Sequence, residues 1–237
     1  MRAHTRTVTD SAIISIGRNI LSSSLDCTLK LWDVSSAAVI SSLTSLSPIV
    51  SMSLGDRMPI PPDGEEFIPP VAEDSREKPE TASKLVFCGL ENGSFELFDL
   101  GVKKSTYRSP VPKSLSSLTC IRYSYSHNLL ATGSSSGIIT VYDTRSLRNP
   151  LTSFNRLETV IEDLAFIFNT SRVCLAIATA DGLPYIASVA PEGPAVNAEL
   201  VGADCDPVRN IGLRDNDGRR EVWSASDDGI VRRYIYV

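Results

Sequence analysis

Short apolar runs alternate with small polar turns along most of the chain, and this pattern predicts β-strands joined as hairpins. The runs are rich in Val, Ile, Leu and Tyr, and they are bounded by Gly, Ser, Asn and Asp. No stretch combines a helical period with helix-capping residues. The pattern therefore predicts an all-β protein.

One hairpin unit recurs along the chain. In its first three copies a strand, a polar turn and a second strand are followed by an aromatic residue and an aspartate. These endings are Trp32-Asp33, Phe98-Asp99 and Tyr142-Asp143. Two further hairpins keep the turn but lack the aromatic–Asp ending. The glycines of four successive turns, at positions 93, 137, 182 and 229, are separated by 44, 45 and 47 residues. A period of about 40–45 residues with an aromatic–Asp ending is typical of WD40 propeller blades.

The repeat predicts about five four-stranded blades in a single WD40-type β-propeller domain, residues 1–237. Seven blades of this period would need roughly 315 residues. The five blades are therefore expected to be part of a seven-bladed propeller that is truncated at its N-terminus. A closed ring of five blades is the alternative.

A segment of different composition interrupts the second blade between Gly55 and Lys84. It contains six prolines, and its eight acids outnumber its four bases. Proline cannot donate to a strand ladder, and so polar a segment buries too little apolar surface to offset the entropy of ordering. We expect a disordered acidic loop here, serving as a tolerated insertion or as a regulatory or partner-binding segment.

Charge and composition exclude several classes of function. The net charge is −5, of which the acidic segment carries −4, so the remainder lacks the basic stripe of a nucleic-acid-binding protein. No apolar run approaches the roughly 18–20 residues that cross a bilayer, and no secretory signal is seen. An odd set of five cysteines and only two histidines predicts reduced thiols, no metal site and no cofactor. We expect an intracellular monomer with no nucleic-acid or membrane partner.

Blade one contains the residue types of a buried polar network found in WD40 blades. Such a network joins a third-strand Trp, a second-strand Ser or Thr, a turn Asp and a His before the first strand. The predicted structural set is His4, Ser24, Asp26, Trp32 and Asp33, with Ser22 as the alternative serine.

The turns between the second and third strands of the blades carry acids. In a WD40 propeller these turns gather on one rim, so they would form an acidic arc that attracts a basic protein surface. The predicted partner-binding residues are Asp26, Glu91, Asp181, Asp227 and Asp228. Local hydrogen bonding in tight turns is the alternative explanation for these acids.

No catalytic residues are predicted. A propeller glycosidase needs paired carboxylates at the central channel, and no motif marks such a pair. Neither a phosphate-binding glycine loop nor a nucleophile elbow is found. A propeller hydrolase is therefore the least favoured class.

Three stretches resemble the proteasomal ATPase-associated factor family: Gly17–Asp33, Glu199–Val208 and Asp228–Tyr234. The string Gly202-Ala203-Asp204-Cys205-Asp206-Pro207-Val208 is the most specific of these matches. The resemblance implies a non-enzymatic WD40 chaperone or regulator of 26S proteasome assembly, present in cytoplasm and nucleus. It would bind the C-terminal domain of a proteasomal ATPase subunit of the 19S regulatory particle. A WD40 scaffold in another intracellular complex, for RNA processing or ubiquitin ligation, is the alternative.

Overall fold

A computed structural model describes residues 3–14, 17–57, 74–113, 116–168, 172–190, 193–216 and 219–236. These residues form antiparallel sheets and two short 3-10 helices, and they contain no α-helix. The all-β prediction is confirmed. The chain divides into two compact units, Met1–Leu118 with Tyr123–Asn128, and Thr119–Arg122 with Leu129–Val237. The prediction of one domain over residues 1–237 stays a prediction.

The first unit contains two four-stranded sheets whose strands are hydrogen-bonded in chain order. The first sheet has β1 (Val8–Ile14), β2 (Asn19–Ser24), β3 (Thr28–Asp33) and β4 (Ala38–Thr44). The second has β5 (Ile49–Asp56), β6 (Lys84–Leu90), β7 (Phe95–Asp99) and β8 (Lys104–Arg108). Alternating side chains of both sheets meet in one apolar core, in which Ile14, Leu21 and Val86 are fully buried. Burial of these alternate positions is the main force that fixes strand register.

The third sheet has β9 (Leu118–Ser124), β10 (Leu129–Ser134), β11 (Ile139–Asp143) and β12 (Pro150–Phe154), with a 3-10 helix at Tyr125–His127. The fourth sheet has β13 (Ile161–Phe168), β14 (Val173–Thr179), β15 (Tyr185–Ala190) and β16 (Ala195–Glu199). The fifth has β17 (Val208–Asn216), β18 (Arg219–Ser226) and β19 (Val231–Tyr236). Five blade-like sheets are thus present, and within the described ranges the fifth has three strands instead of four.

Successive sheets within each unit are joined by an aspartate on the first strand of a blade. The backbone N–H of Met52 on β5 donates to Asp10 of β1 at 3.1 Å. In the second unit the N–H of Ile211 on β17 donates to Asp163 of β13, also at 3.1 Å. The pairing register shifts next to both aspartates, and such a bulge turns a side chain away from its own ladder. The same device therefore ties one blade to the next in both units.

Part of the acidic segment is ordered, which the composition did not predict. β5 continues to Asp56, which pairs with Lys84, and a 3-10 helix spans Pro79–Ser83. The buried amide of Asn19 donates to the carbonyl of Arg76 at 3.2 Å, and its oxygen accepts from the N–H of Lys78 at 3.0 Å. This anchoring comes from a blade-one side chain that is remote in sequence. The rest of the predicted disordered loop, residues 58–73, lies outside the described residues.

Candidate functional site

Blade one contains a chain of side-chain hydrogen bonds that runs from an indole to a carboxylate. Trp32 Nε1 donates to Ser22 Oγ at 2.7 Å, and Ser22 Oγ lies 2.8 Å from His4 Nε2. His4 Nδ1 lies 3.0 Å from Asp26 Oδ2, and the Thr28 hydroxyl donates to Asp26 Oδ1 at 2.5 Å. With the proton of the neutral imidazole on Nδ1, every donation in this chain runs toward Asp26.

The serine in this chain is Ser22, whereas the predicted set contained Ser24. Both side chains lie on the same face of β2, but Ser22 is opposite Lys30 and is one diagonal step from Trp32. Ser24 is two residues further along the strand, where its hydroxyl donates to the carbonyl of Arg6 at 3.2 Å. Residue type could not separate the two serines, because only their distance from Trp32 distinguishes them.

Asp33, also placed in the predicted network, belongs to a separate cluster at the turn after β3. Its carboxylate accepts from Arg18 Nε at 2.9 Å and from the N–H of Ser36 at 2.9 Å. The hydroxyls of Ser36 and Ser35 contribute most to holding the pKa of Asp33 well below its usual range. Asp33 therefore closes the β3–β4 turn and does not contact His4.

Ser22, His4 and Asp26 have the connectivity of a catalytic triad, and the structural role predicted for this network stays a prediction. Ser22 Oγ also accepts the indole proton of Trp32, which draws electron density from the oxygen that a nucleophile would use. The side chains of His4 and Asp26 are 5% and 4% exposed. A cleft of about 290 Å³ beside them is lined largely by apolar groups, including Val8, Ile20 and Val34.

Asp26 is held inside this network and does not present its carboxylate to solvent. Burial by itself would raise its pKa, but hydrogen bonds from Thr28, Thr5 and His4 outweigh that effect and hold the pKa well below its usual range. Glu91, at the equivalent turn of blade two, is exposed. Of the two predicted docking acids in the first unit, only Glu91 is therefore open to a partner.

The other three predicted docking acids lie in the second unit, and each accepts a hydrogen bond there. Asp181 Oδ1 accepts from the N–H of Leu183 at 3.1 Å. Asp227 accepts from Arg209 at 2.7 and 3.0 Å. Asp228 pairs with Arg232 and accepts from the N–H of Ile230 at 2.9 Å, and the Arg232 guanidinium holds its pKa below the usual range. Turn chemistry is thus present at Asp181 and Asp228, whereas Asp227 is paired with an arginine 18 positions away in the sequence.

These three acids belong to one continuous surface, which we call the blade four–five rim. It consists of residues 156–162, 179–184, 199–209 and 226–232, which contain eight acids and three arginines. Backbone bonds join its segments, from Ala180 N–H to the Val160 carbonyl at 3.0 Å and from Asp227 N–H to the Pro207 carbonyl at 2.9 Å. Its exposed aliphatic side chains are Leu157, Leu183, Val201, Ile230 and Val231. The rim therefore combines negative charge with exposed apolar area.

Arg209 organises the rim, and the sequence patterns did not single it out. Its guanidinium donates to Asp227 and, at 2.8 Å, to Glu162 Oε1, which is 47 positions away in the sequence. It thereby joins the first strand of blade four to the turn of blade five. Only the alternation of acids with arginines near the turns could have suggested such a pair.

No helix among the described residues has the length and apolar content to cross a bilayer. No group of three or more His, Cys, Asp or Glu side chains among them is arranged to hold a metal ion.

Comparison with known proteins supports the repeat assignment. The model of the WD domain, G-beta repeat, matches residues 1–33 and 107–143. A search of curated proteins finds no match. Among solved structures, the crystal structure of the computationally designed Ika8 protein is similar with a TM-score of 0.68 and 17% sequence identity. The similarity covers 99% of this chain and 60% of the designed chain, so this chain spans less than two thirds of that protein.

At this level of identity the structural likeness shows the fold alone. Matches extend to 1422 solved chains, so the architecture by itself does not single out one function. The chain is therefore an all-β protein with WD40 repeats at residues 1–33 and 107–143, and its five sheets correspond to about five blades of a β-propeller.

Proposed function

We propose that this protein is a non-enzymatic scaffold that binds a basic protein surface on the blade four–five rim. WD40 repeats indicate a protein-binding scaffold, and the rim supplies the chemistry for a particular partner. The observation that carries the proposal is the excess of eight acids over three arginines beside five exposed aliphatic side chains. Such a surface attracts a basic partner at long range and gains apolar contact after docking.

We further propose that the partner is the C-terminal domain of a proteasomal ATPase subunit. The protein would then act as a chaperone or regulator of 26S proteasome assembly in cytoplasm and nucleus, as a monomer. Support comes from the stretch Glu199–Val208, which carries the most specific part of the family resemblance and forms one segment of the rim. Within it Glu199, Asp204 and Asp206 are exposed acids.

The contacts divide the rim acids between two roles. Asp227 and Asp228 are paired with arginines, so their first role is to hold the turn of blade five. Asp181 has no ion pair among the described residues, and its bond to the Leu183 N–H leaves its charge available. Replacing Asp228 by Lys should therefore lower the melting temperature, because it removes the turn bond to Ile230 and the partner of Arg232.

The decisive experiment measures binding of the full chain to recombinant C-terminal domains of the proteasomal ATPases over a range of salt concentrations. We expect one domain to bind, with an affinity that falls as salt rises. Asp181→Asn keeps an oxygen for the Leu183 N–H and removes the charge, so it should weaken binding about two- to fivefold. Asp215→Asn removes one exposed charge from β17 outside the rim and serves as the matched control.

Three outcomes would count against the proposal at different levels. If no ATPase domain binds, the proteasomal assignment fails, and a scaffold role in another complex becomes the better explanation. If binding is insensitive to salt, the electrostatic role of the rim fails. If Asp181→Asn and Asp215→Asn weaken binding equally, the partner senses overall charge and does not contact the rim.

A further inference from the structure

A small cavity lies beneath the rim in blade four. Its lining includes Arg156, Thr179, Asp181 and Tyr185. The space open to the centre of a water-sized sphere is about 10 Å³, roughly the room that one water molecule requires. The cavity therefore has the size of a single solvent molecule.

Three polar groups that line this cavity are buried without a partner among the described residues. They are the hydroxyls of Tyr185 and Thr179 and the Nη1 group of Arg156. Tyr185 is 2% exposed and Thr179 is 1% exposed, so bulk solvent does not reach their hydroxyls. Buried polar groups in native proteins almost always have a hydrogen-bond partner, which is either protein or ordered water. Three such groups around one cavity point to a shared ligand.

We propose that Arg156, Thr179 and Tyr185 bind one structural water molecule in this cavity. The water oxygen accepts from Arg156 Nη1, and it accepts a second bond from one of the two hydroxyls. One water proton is donated to the oxygen of the other hydroxyl. All three groups are then satisfied by a single molecule that makes three hydrogen bonds, which is the usual number for a buried water.

Charge and size favour water over an anion. The Nη2 group of Arg156 already pairs with Glu199, and Asp181 lines the same cavity, so a further negative charge would be repelled. The Arg156 guanidinium also lies 5.1 Å from the centre of the Tyr185 ring, which fixes its position over the aromatic face. Burial raises the pKa of Tyr185 to about 12, so its hydroxyl keeps its proton near neutral pH.

The water would add hydrogen bonds between three segments of blade four, beside the contact that Arg156 already makes with the Tyr185 ring. Arg156 lies in the loop after β12, Thr179 ends β14 and Tyr185 begins β15. These segments carry the blade-four part of the rim, which includes Asp181 and Leu183. The water site therefore supports the shape of the rim from below, and it does not depend on which partner binds there.

A high-resolution crystal structure of the full chain, grown with bromide and measured at the bromine absorption edge, tests the site. We expect one solvent peak within hydrogen-bond distance, about 2.7–3.2 Å, of the three polar atoms and without anomalous signal. An empty cavity would overturn the proposal. A bromide peak in the cavity would also overturn it, because the site would then bind anions.

A double-mutant cycle gives an independent test in solution. Tyr185→Phe and Thr179→Val each remove one hydroxyl while largely preserving shape, and both should lower the melting temperature. Because both hydroxyls act through the same water, the double variant should lose less than the sum of the two shifts. Additive shifts would contradict a shared water.

The control pairs Tyr185→Phe with Thr132→Val. Thr132 is equally buried, lies on β10 and has its own acceptor in the carbonyl of Thr140 at 3.3 Å. These two shifts should add. If the first double variant does not fold, the crystal structure still decides the question.

Discussion

Two glycines in matching turns allow a direct test of how the blades are packed. Gly137 and Gly229 each close a turn by donating to the carbonyl of a serine three residues earlier, Ser134 and Ser226, at 3.2 and 3.0 Å. Their φ angles are +83° and +78°. A Cβ on Gly137 would lie 2.1 Å from the Leu157 carbonyl oxygen, whereas a Cβ on Gly229 would have no atom within 4 Å.

We expect alanine to destabilise both turns, but by different amounts. A side chain at positive φ costs about 1–2 kcal/mol, and this cost applies to both variants. At position 137 the loop carrying Leu157 must also move by about 1 Å to restore normal contact, and overpacking of this kind costs a further 1–3 kcal/mol or so. Gly137→Ala should therefore lose about 2–5 kcal/mol and Gly229→Ala about 1–2 kcal/mol.

Urea denaturation followed by circular dichroism measures this difference, provided that the dependence of the unfolding free energy on urea is the same for both variants. Gly229→Ala is the matched control, because it introduces the same backbone strain without the collision. Equal losses would refute the reasoning, since they would mean that the loop at Leu157 does not cover the turn of blade three.

Three further predictions concern the blade-one network and the cysteines. Ser22→Ala should cost about 1–3 kcal/mol in the same urea assay, because it leaves the buried Trp32 N–H without its acceptor; covalent labelling of Ser22 by a fluorophosphonate would instead indicate a catalytic triad. The pKa of Asp26 is lower in the folded protein than the value of 3.8 expected in the unfolded chain. Its ionised carboxylate therefore stabilises the fold fully above pH 3.8, and this stabilisation is lost as the pH falls toward the folded-state pKa. In Asp26→Asn the free energy of unfolding should therefore decline less steeply between about pH 5 and pH 2. An unchanged dependence of the unfolding free energy on pH would contradict this. In the native state a thiol reagent should modify exposed Cys205 first. Modification of Cys88, Cys120 or Cys174 before denaturation, detected by mass spectrometry, would contradict their burial.

The sequence by itself determined the strands and the turns, because both depend on local properties of the chain. The hairpins predicted to end at Asp33, Asp99 and Asp143 are observed, because β3, β7 and β11 end at these three residues. Alternation of apolar and polar positions requires one buried face per strand, and glycine at positive φ marks the tight turns. The residue types of the blade-one network were also visible, since Trp32, Asp26 and His4 occur at fixed places in a recognisable unit.

Only the tertiary structure decided which polar groups meet. The choice of Ser22 over Ser24 depends on a diagonal distance across two strands, and the anchoring of residues 76–81 depends on Asn19, about 60 positions away. Arg209 binds Glu162 and Asp227, which are far from it in sequence, and this pairing determines which rim charges remain available. Partner choice among charged and hydrogen-bonding groups depends on distances between strands and blades. A local pattern contains no such distances, so these contacts could not be predicted from it.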